Sequence, residues 1–190
     1  LNFISKHNHI YFKLSNNLLL VYNDVRRFGF FKLFDKEEFN KITFLKKLGV
    51  EPLSKLFNER YFKTHLKNKK KNIKNLLMDQ TFVSGLGNIY VNEVLYLSKI
   101  NPLKNCNLLK KNEVNSLIFN IKKILKFSIS KGGASIKDFK SALGVSGAFQ
   151  QFFYAYDQEG KNCSRKSCVG KIKKVLIANR STFYCEKCQN

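Results

Sequence analysis

The 190-residue chain carries 35 Lys and Arg against 13 Asp and Glu, a formal net charge of +22, with 44% apolar residues. That length suits one large or two small domains, and the apolar fraction is enough for packed cores. The one-sided charge attracts polyanions, nucleic acid before anionic membrane, and no apolar run near eighteen residues or secretory h-region supports the membrane alternative. Lys far outnumbers Arg and Asn is abundant, a bias that base composition alone can produce, so part of the charge is read as solvated filler. The chain starts at Leu1, in a strand-like run, rather than at Met. A fragment or processed piece is therefore expected, with sequence missing upstream.

Residues 1–34 read as strands. HIYFKLSNNLLLVY is two apolar runs around Ser15-Asn16-Asn17, a hairpin with Asn where positive φ is tolerated. NDVRRFGFFKLF predicts a turn and a third strand. Three strands make a poor domain alone, so they are expected to end a larger sheet. From 35 to 132 the pattern turns helical. Asp35 can cap a short helix over KEEF, and LKKLGVEPLS reads as a helix end punctuated by Gly49 and Pro52. Lys67 to Gln80 gives a basic first turn followed by IKNLLMDQ. TFVSGLG is a tight turn. A helix over Asn88–Lys99 carries Ile89, Val91, Val94, Leu95 and Leu97 and stops at Asn101-Pro102. A second over Asn112–Lys131 places Val114, Leu117, Ile118, Ile121, Ile124 and Leu125 on one face, ending at Gly132-Gly133. ASIKDF allows one more short helix, SALGVSGAFQ is loop-like, and from Gln151 onward the pattern is strand and turn.

Four features carry chemistry. Cys163-x4-Cys168-x16-Cys185-x2-Cys188 offers two close thiolate pairs that can close a tetrahedral shell around Zn²⁺. The intervening VGKIKKVLIANRSTFYC reads as two strands turning at Ala178-Asn179, a zinc-ribbon hairpin. A four-thiolate shell leaves no open position, so such a metal is structural and substitutes for a core too small to fold alone. Metal-free thiols and iron–sulfur ligation are the competing readings, and the first pair's four-residue gap is wider than the commoner two. Second, Ser84-Gly85-Leu86-Gly87-Asn88 joins two helices. Glycines let a backbone approach another surface closely, and a helix N-terminus aimed there is a ready phosphate site, with Asn88 as N-cap or donor. An ordinary helix corner is the bland alternative. Third, Arg26-Arg27-Phe28-Gly29 on a turn suits a wedge, Arg meeting a base edge or phosphate while Phe stacks between bases. Alternatively Phe28 is core and the arginines are solvated. Fourth, Lys67, Lys69, Lys70, Lys71 and Lys74 are a solvated face or, beside the glycine turn, a backbone-tracking stripe. His7, His9 and His65 read as structural when taken singly, and Cys106 as an inert thiol.

These features occur together in one family. The stretches KHNHIYF, DVRRFG, LGVEPLS, KKKNIKNLLMDQ, GLGNIYVNEVL, INPL, GGASIKDF and RSTFYCEKCQ, spread over nearly the whole chain, resemble the formamidopyrimidine-DNA glycosylases of base-excision repair. The resemblance implies an α+β multidomain fold. Residues 1–34 would be the C-terminal strands of a truncated N-terminal β-sandwich. Residues 35–140 would be a helical domain with a helix–two-turn–helix, 141–156 a lesion-covering loop (GVSGAF) and linker, and 157–190 the zinc finger. The nucleophile it implies is an N-terminal proline amine helped by a glutamate, neither of them in this chain. That amine attacks C1′, expels an oxidised purine and forms a Schiff base before β,δ-elimination. Phe28 matches the residue that fills the gap left by the flipped base, and Arg26 the one that contacts the orphaned cytosine. Asn88 and Arg180 match a pair gripping phosphates, and Arg180 also a late elimination step. His7, Lys69, Lys74 and Gly87 fall on further DNA contacts. One structural Zn²⁺ on Cys163, Cys168, Cys185 and Cys188 is implied. So is a monomer acting on damaged duplex DNA in the bacterial cytoplasm, associated with the nucleoid and not with membrane.

The chain departs from the family pattern at Gln158, where Arg is frequent, and at Asn8, where Asp is common. The covering loop is variable, which leaves lesion preference open. An endonuclease-eight-like enzyme for oxidised pyrimidines and a non-catalytic DNA-binding paralogue are the alternatives. With no nucleophile in it, this polypeptide is expected to lack glycosylase activity.

Overall fold

The computed structural model describes residues 6–66, 69–135 and 147–189. The chain divides into two compact units, one up to Ile42 and one from Thr43 onward.

In the first unit, strands β1 (Asn8–Lys13) and β2 (Leu19–Asn23) form the expected antiparallel hairpin, with Tyr11 opposite Val21 and Lys13 opposite Leu19. The turn closes through Leu14 N–H to the Leu18 carbonyl at 2.9 Å, with Asn17 at φ 60°. The expected third strand does not form: residues 25–34 adopt no regular structure. A strand needs a neighbouring edge to bond, and among the described residues β1 and β2 pair only with each other. Of the strands expected in this region, the described residues form a single hairpin. A 3-10 helix over Lys36–Lys41 follows, its Glu38 N–H on the Asp35 carbonyl.

The second unit is helical at its centre. Helix α1 (Thr43–Lys46) precedes α2 (Glu59–Leu66), an element the apolar spacing had not singled out. Its start is fixed by Asn58, whose Oδ1 accepts from Tyr61 N–H at 3.0 Å. Helix α3 spans only Ile73–Leu77, because Asn72 caps it and accepts from Asn75 N–H at 2.9 Å. The basic residues expected in its first turn lie outside it, Lys67 beyond the described residues. Helices α4 (Asn88–Leu97) and α5 (Lys111–Ser130) match their predicted spans to within two residues. The α5 stripe is buried as expected at Val114, Leu117, Ile121 and Ile124, packing with Phe57, Phe62, Leu76, Phe82, Val91 and Val94. The short helix read into ASIKDF, and the covering loop up to Ser146, lie outside the described residues.

The C-terminal hairpin pairs β3 (Ile172–Ile177) with β4 (Arg180–Cys185), Ile177 opposite Arg180. Ala178 and Asn179 both have positive φ, 47° and 56°. That is the two-residue turn whose twist suits a tight hairpin. A second small core joins this hairpin to α4 through Tyr96, Ala155, Ile172 and Phe183.

Candidate nucleic-acid interface and metal centre

Helix α4 is the scaffold of the site. The turn before it needs Gly85, at φ +80°, and Gln80 braces that turn, accepting from Gly85 N–H and donating to the Leu86 carbonyl. A Cβ at Gly85 or Gly87 would point into open space, so the turn presents bare backbone. Gly87 gives α4 no side-chain cap, which leaves first-turn N–H groups facing outward at the positive end of the helix dipole.

Strand β4 is bonded along this helix. Asn88 Nδ2 donates to the Ser181 carbonyl at 2.9 Å, and Asn92 Oδ1 accepts from Phe183 N–H at 2.7 Å. Four helix residues advance ~6 Å and two strand residues ~6.6 Å, so the two elements stay in step. Lys74 enters from α3. Its Nζ donates to Thr182 Oγ1 at 2.5 Å and lies 3.3 Å from the Ser181 carbonyl, while the Thr182 hydroxyl donates to the Arg180 carbonyl at 3.0 Å. Arg180 itself is exposed at the tip of the hairpin. Lys74, expected on a DNA-facing stripe, is 1% exposed, and here its ammonium bonds protein acceptors. Burial, and then the charge of Arg180, bring it down to about 8. Lys69 is exposed, ahead of the α3 cap.

Glu93, one turn along α4 and fully buried, accepts from the N–H groups of Tyr154, Ala155 and Tyr156 at 2.8, 2.9 and 2.7 Å. It fixes the segment leading into the finger. Burial pushes its carboxyl up even though these three amides hold it down.

The four cysteines come together. All their sulfurs lie within 4.8 Å of one another, with Cys163 to Cys188 at 3.8 Å and Cys168 to Cys185 at 3.6 Å. Tetrahedral metal–sulfur bonds of ~2.3 Å place sulfurs ~3.8 Å apart, so the cluster fits one metal ion. Gly170 permits the approach, since a Cβ there would lie 2.7 Å from Cys185 Sγ. Burial, together with Cys185 and Cys163, pushes the Cys188 thiol up to about 12. A bound cation reverses that preference.

In the first unit, Asp24 organises the Arg-Arg-Phe turn. Oδ1 accepts from Arg26 N–H at 3.0 Å and Arg27 N–H at 2.9 Å, and Oδ2 from Gly29 N–H at 2.7 Å and Tyr22 OH at 2.9 Å. These bonds, led by that of Gly29, outweigh desolvation and hold its carboxyl below the usual range. Arg27 takes φ 54°. Phe28 is 77% exposed with the Arg26 guanidinium 4.6 Å from its ring centre, so the reading that buries Phe28 does not hold. His7 precedes β1, and its carbonyl accepts from Asp24 N–H at 2.9 Å. Asp24 was not singled out from the sequence, although an Asp two residues before Arg26 is an Asx-turn signal. Thr182, Glu93 and Tyr96 were likewise not singled out, because their partners Lys74, Tyr154 and Cys163 lie at least 60 residues away and leave no local trace.

The model of the formamidopyrimidine-DNA glycosylase H2TH domain matches residues 48–140. A formamidopyrimidine-DNA glycosylase of Rickettsia bellii is 44% identical, covering 98% of this chain and 67% of the relative. One from Roseobacter denitrificans is 40% identical, over 97% and 65%. Among solved structures, a complex of Lactococcus lactis Fpg with abasic-site DNA superposes with a TM-score of 0.88 at 39% identity, covering 98% of this chain and 68% of that one. MutM bound to DNA containing carbocyclic 8-oxo-G gives 0.85 at 38% identity, covering 98% and 66%. The chain thus spans about two thirds of the length of these relatives.

Proposed function

The chain belongs to the formamidopyrimidine-DNA glycosylase family, and from that premise we propose that it serves base-excision repair as the DNA-gripping part of a glycosylase and abasic-site lyase for oxidised purines, 8-oxoguanine and formamidopyrimidines. The observation that carries this reading is the α4–β4 ladder. Asn88 at the uncapped helix start is bonded to the residue after Arg180, so a neutral amide donor, free N–H groups and a guanidinium are held together by one hydrogen-bonded frame. Such a frame suits phosphates either side of an extruded nucleotide.

On this reading Asn88, Gly87 and Arg180 grip the backbone, and Arg180 also assists the late elimination. Lys69 and His7 add phosphate contacts, and Lys74 acts by bracing Ser181 and Thr182 beneath Arg180. Phe28 enters the stack and Arg26 meets the orphaned base. Residues 1–34, 35–140, 141–156 and 157–190 keep the roles of sandwich strands, helical domain, covering loop with linker, and finger. The protein works as a monomer on damaged duplex DNA in the bacterial cytoplasm. No described helix is long and apolar enough to cross a membrane.

Zn²⁺ is the ion proposed for Cys163, Cys168, Cys185 and Cys188, where four thiolates leave it no open position and make it structural. The reaction's amine, a proline followed by glutamate, is not among these residues, so this polypeptide alone binds without cleaving. The test is strand cleavage at 8-oxoguanine opposite cytosine with borohydride trapping. A polypeptide carrying these residues behind a Pro-Glu start should cleave and trap, and the 190 residues alone should do neither. Cleavage only at oxidised pyrimidines, or none in the extended form, contradicts the reading.

A further inference from the structure

The four-residue gap of the first cysteine pair brings side chains back onto α4. The Tyr96 hydroxyl oxygen lies 3.1 Å from Cys163 Sγ and 2.9 Å from Ser164 Oγ. Tyr96 is 1% exposed, and a buried phenol requires a hydrogen-bond partner. A metal-bound cysteine is a thiolate and can only accept. The phenol O–H therefore donates to Cys163, and the Ser164 hydroxyl donates to the phenol oxygen. Arg165, in the same gap, places its guanidinium 4.7 Å from the centre of the Tyr96 ring. Its Nη2 donates to the carbonyls of Tyr96 at 2.5 Å and Leu97 at 3.3 Å, at the negative end of the α4 dipole. Tyr154 stacks on the same ring, centroids 5.8 Å apart and planes 8° from parallel.

A divalent ion held by four thiolates carries excess negative charge, and outer donors that offset it strengthen and orient the site. We propose that Tyr96 is a positioning residue of the metal centre. Its phenol holds the Cys163 thiolate, and with Arg165 it ties the first metal knuckle to the C-terminal end of the helix whose other end carries Asn88. This inference rests on reading the four cysteines as a metal site.

The test loads the intact chain with Co²⁺, records the thiolate-to-metal charge-transfer band, and measures Zn²⁺ affinity by chelator competition. It compares wild type with Tyr96→Phe and Ser164→Ala. Tyr96→Phe keeps the ring between its neighbours and removes only the hydroxyl. Its charge-transfer band should move to lower energy, because the thiolate loses a donor and becomes more electron-rich, and Zn²⁺ affinity should fall about tenfold. Ser164→Ala should shift the band the same way by less. A band in Tyr96→Phe identical to wild type overturns the proposal, since a merely structural role could lower affinity but would leave the band in place. If Tyr96→Phe does not fold, Ser164→Ala at this exposed position decides by the same criterion. A wild-type chain with no thiolate band at all overturns the metal reading beneath the proposal, an outcome distinct from either.

Discussion

The side-chain amide of Asn88 donates to the backbone carbonyl of Ser181 across 2.9 Å, bridging 93 residues of sequence. A second rung, Asn92 to Phe183, keeps the finger hairpin from rotating about the first. Together they mean that the helix start and the tip of the finger form one rigid frame.

Asn88→Ala removes the rung to Ser181 and, in the proposed role, a phosphate donor. DNA affinity should fall about tenfold or more, the loss of one or two hydrogen bonds at ~1 kcal/mol each. The loss should be the same for duplexes of different sequence, as measured by fluorescence anisotropy. A loss confined to one sequence would indicate base reading instead of backbone grip.

Lys74 gives a pH signature. Its pKa is about 8 in the fold against about 10.4 unfolded. The unfolded chain therefore binds more protons between those values, and stability rises with pH across that window. Below pH 8 the full penalty for burying the charge is present. Relative to Lys74→Met, the wild-type unfolding free energy should gain roughly 2–3 kcal/mol between pH 7.5 and 10.5. A flat difference would mean that the ammonium is not desolvated.

The helices were legible because burial follows apolar spacing: every α5 residue that is both apolar and buried was on the predicted stripe. The hairpin turn at Ala178-Asn179 was legible because two adjacent residues set it, and the clustering of Cys163, Cys168, Cys185 and Cys188 because two close-spaced pairs flank that one hairpin. Helix α2 and the start of α3 were missed because their boundaries are set by Asn58 and Asn72, caps that look like any other Asn in an Asn-rich chain. The strand expected after Arg26 failed because periodicity does not say whether a partner edge exists. Lys74 reads as one more surface lysine, and only the fold brings Thr182 to it.

Asp24→Ala should release the Arg26–Gly29 turn, because the N–H groups of Arg26, Arg27 and Gly29 rest on that carboxylate. Amide hydrogen exchange at Arg26, Arg27 and Gly29 should accelerate, while that of β1 and β2 changes little. Unchanged exchange at these amides would show that the turn holds itself.

Metal loading should release protons and weaken as pH falls, because the thiolates, Cys188 above all, must give up protons to bind. Chelation should lower DNA affinity by loosening the hairpin that carries Arg180. Binding that survives removal of the ion intact would separate the finger from the grip.

Arg180, exposed at the hairpin tip, is the phosphate contact proposed for the finger. The most direct measurement is the salt dependence of binding to abasic-site duplex DNA, for wild type and Arg180→Ala. If wild type neutralises roughly six phosphates, log K against log salt should slope at about −5, and Arg180→Ala should make it shallower by about 1. A wild-type slope near zero, or the same slope in both proteins, would show that Arg180 does not neutralise a phosphate.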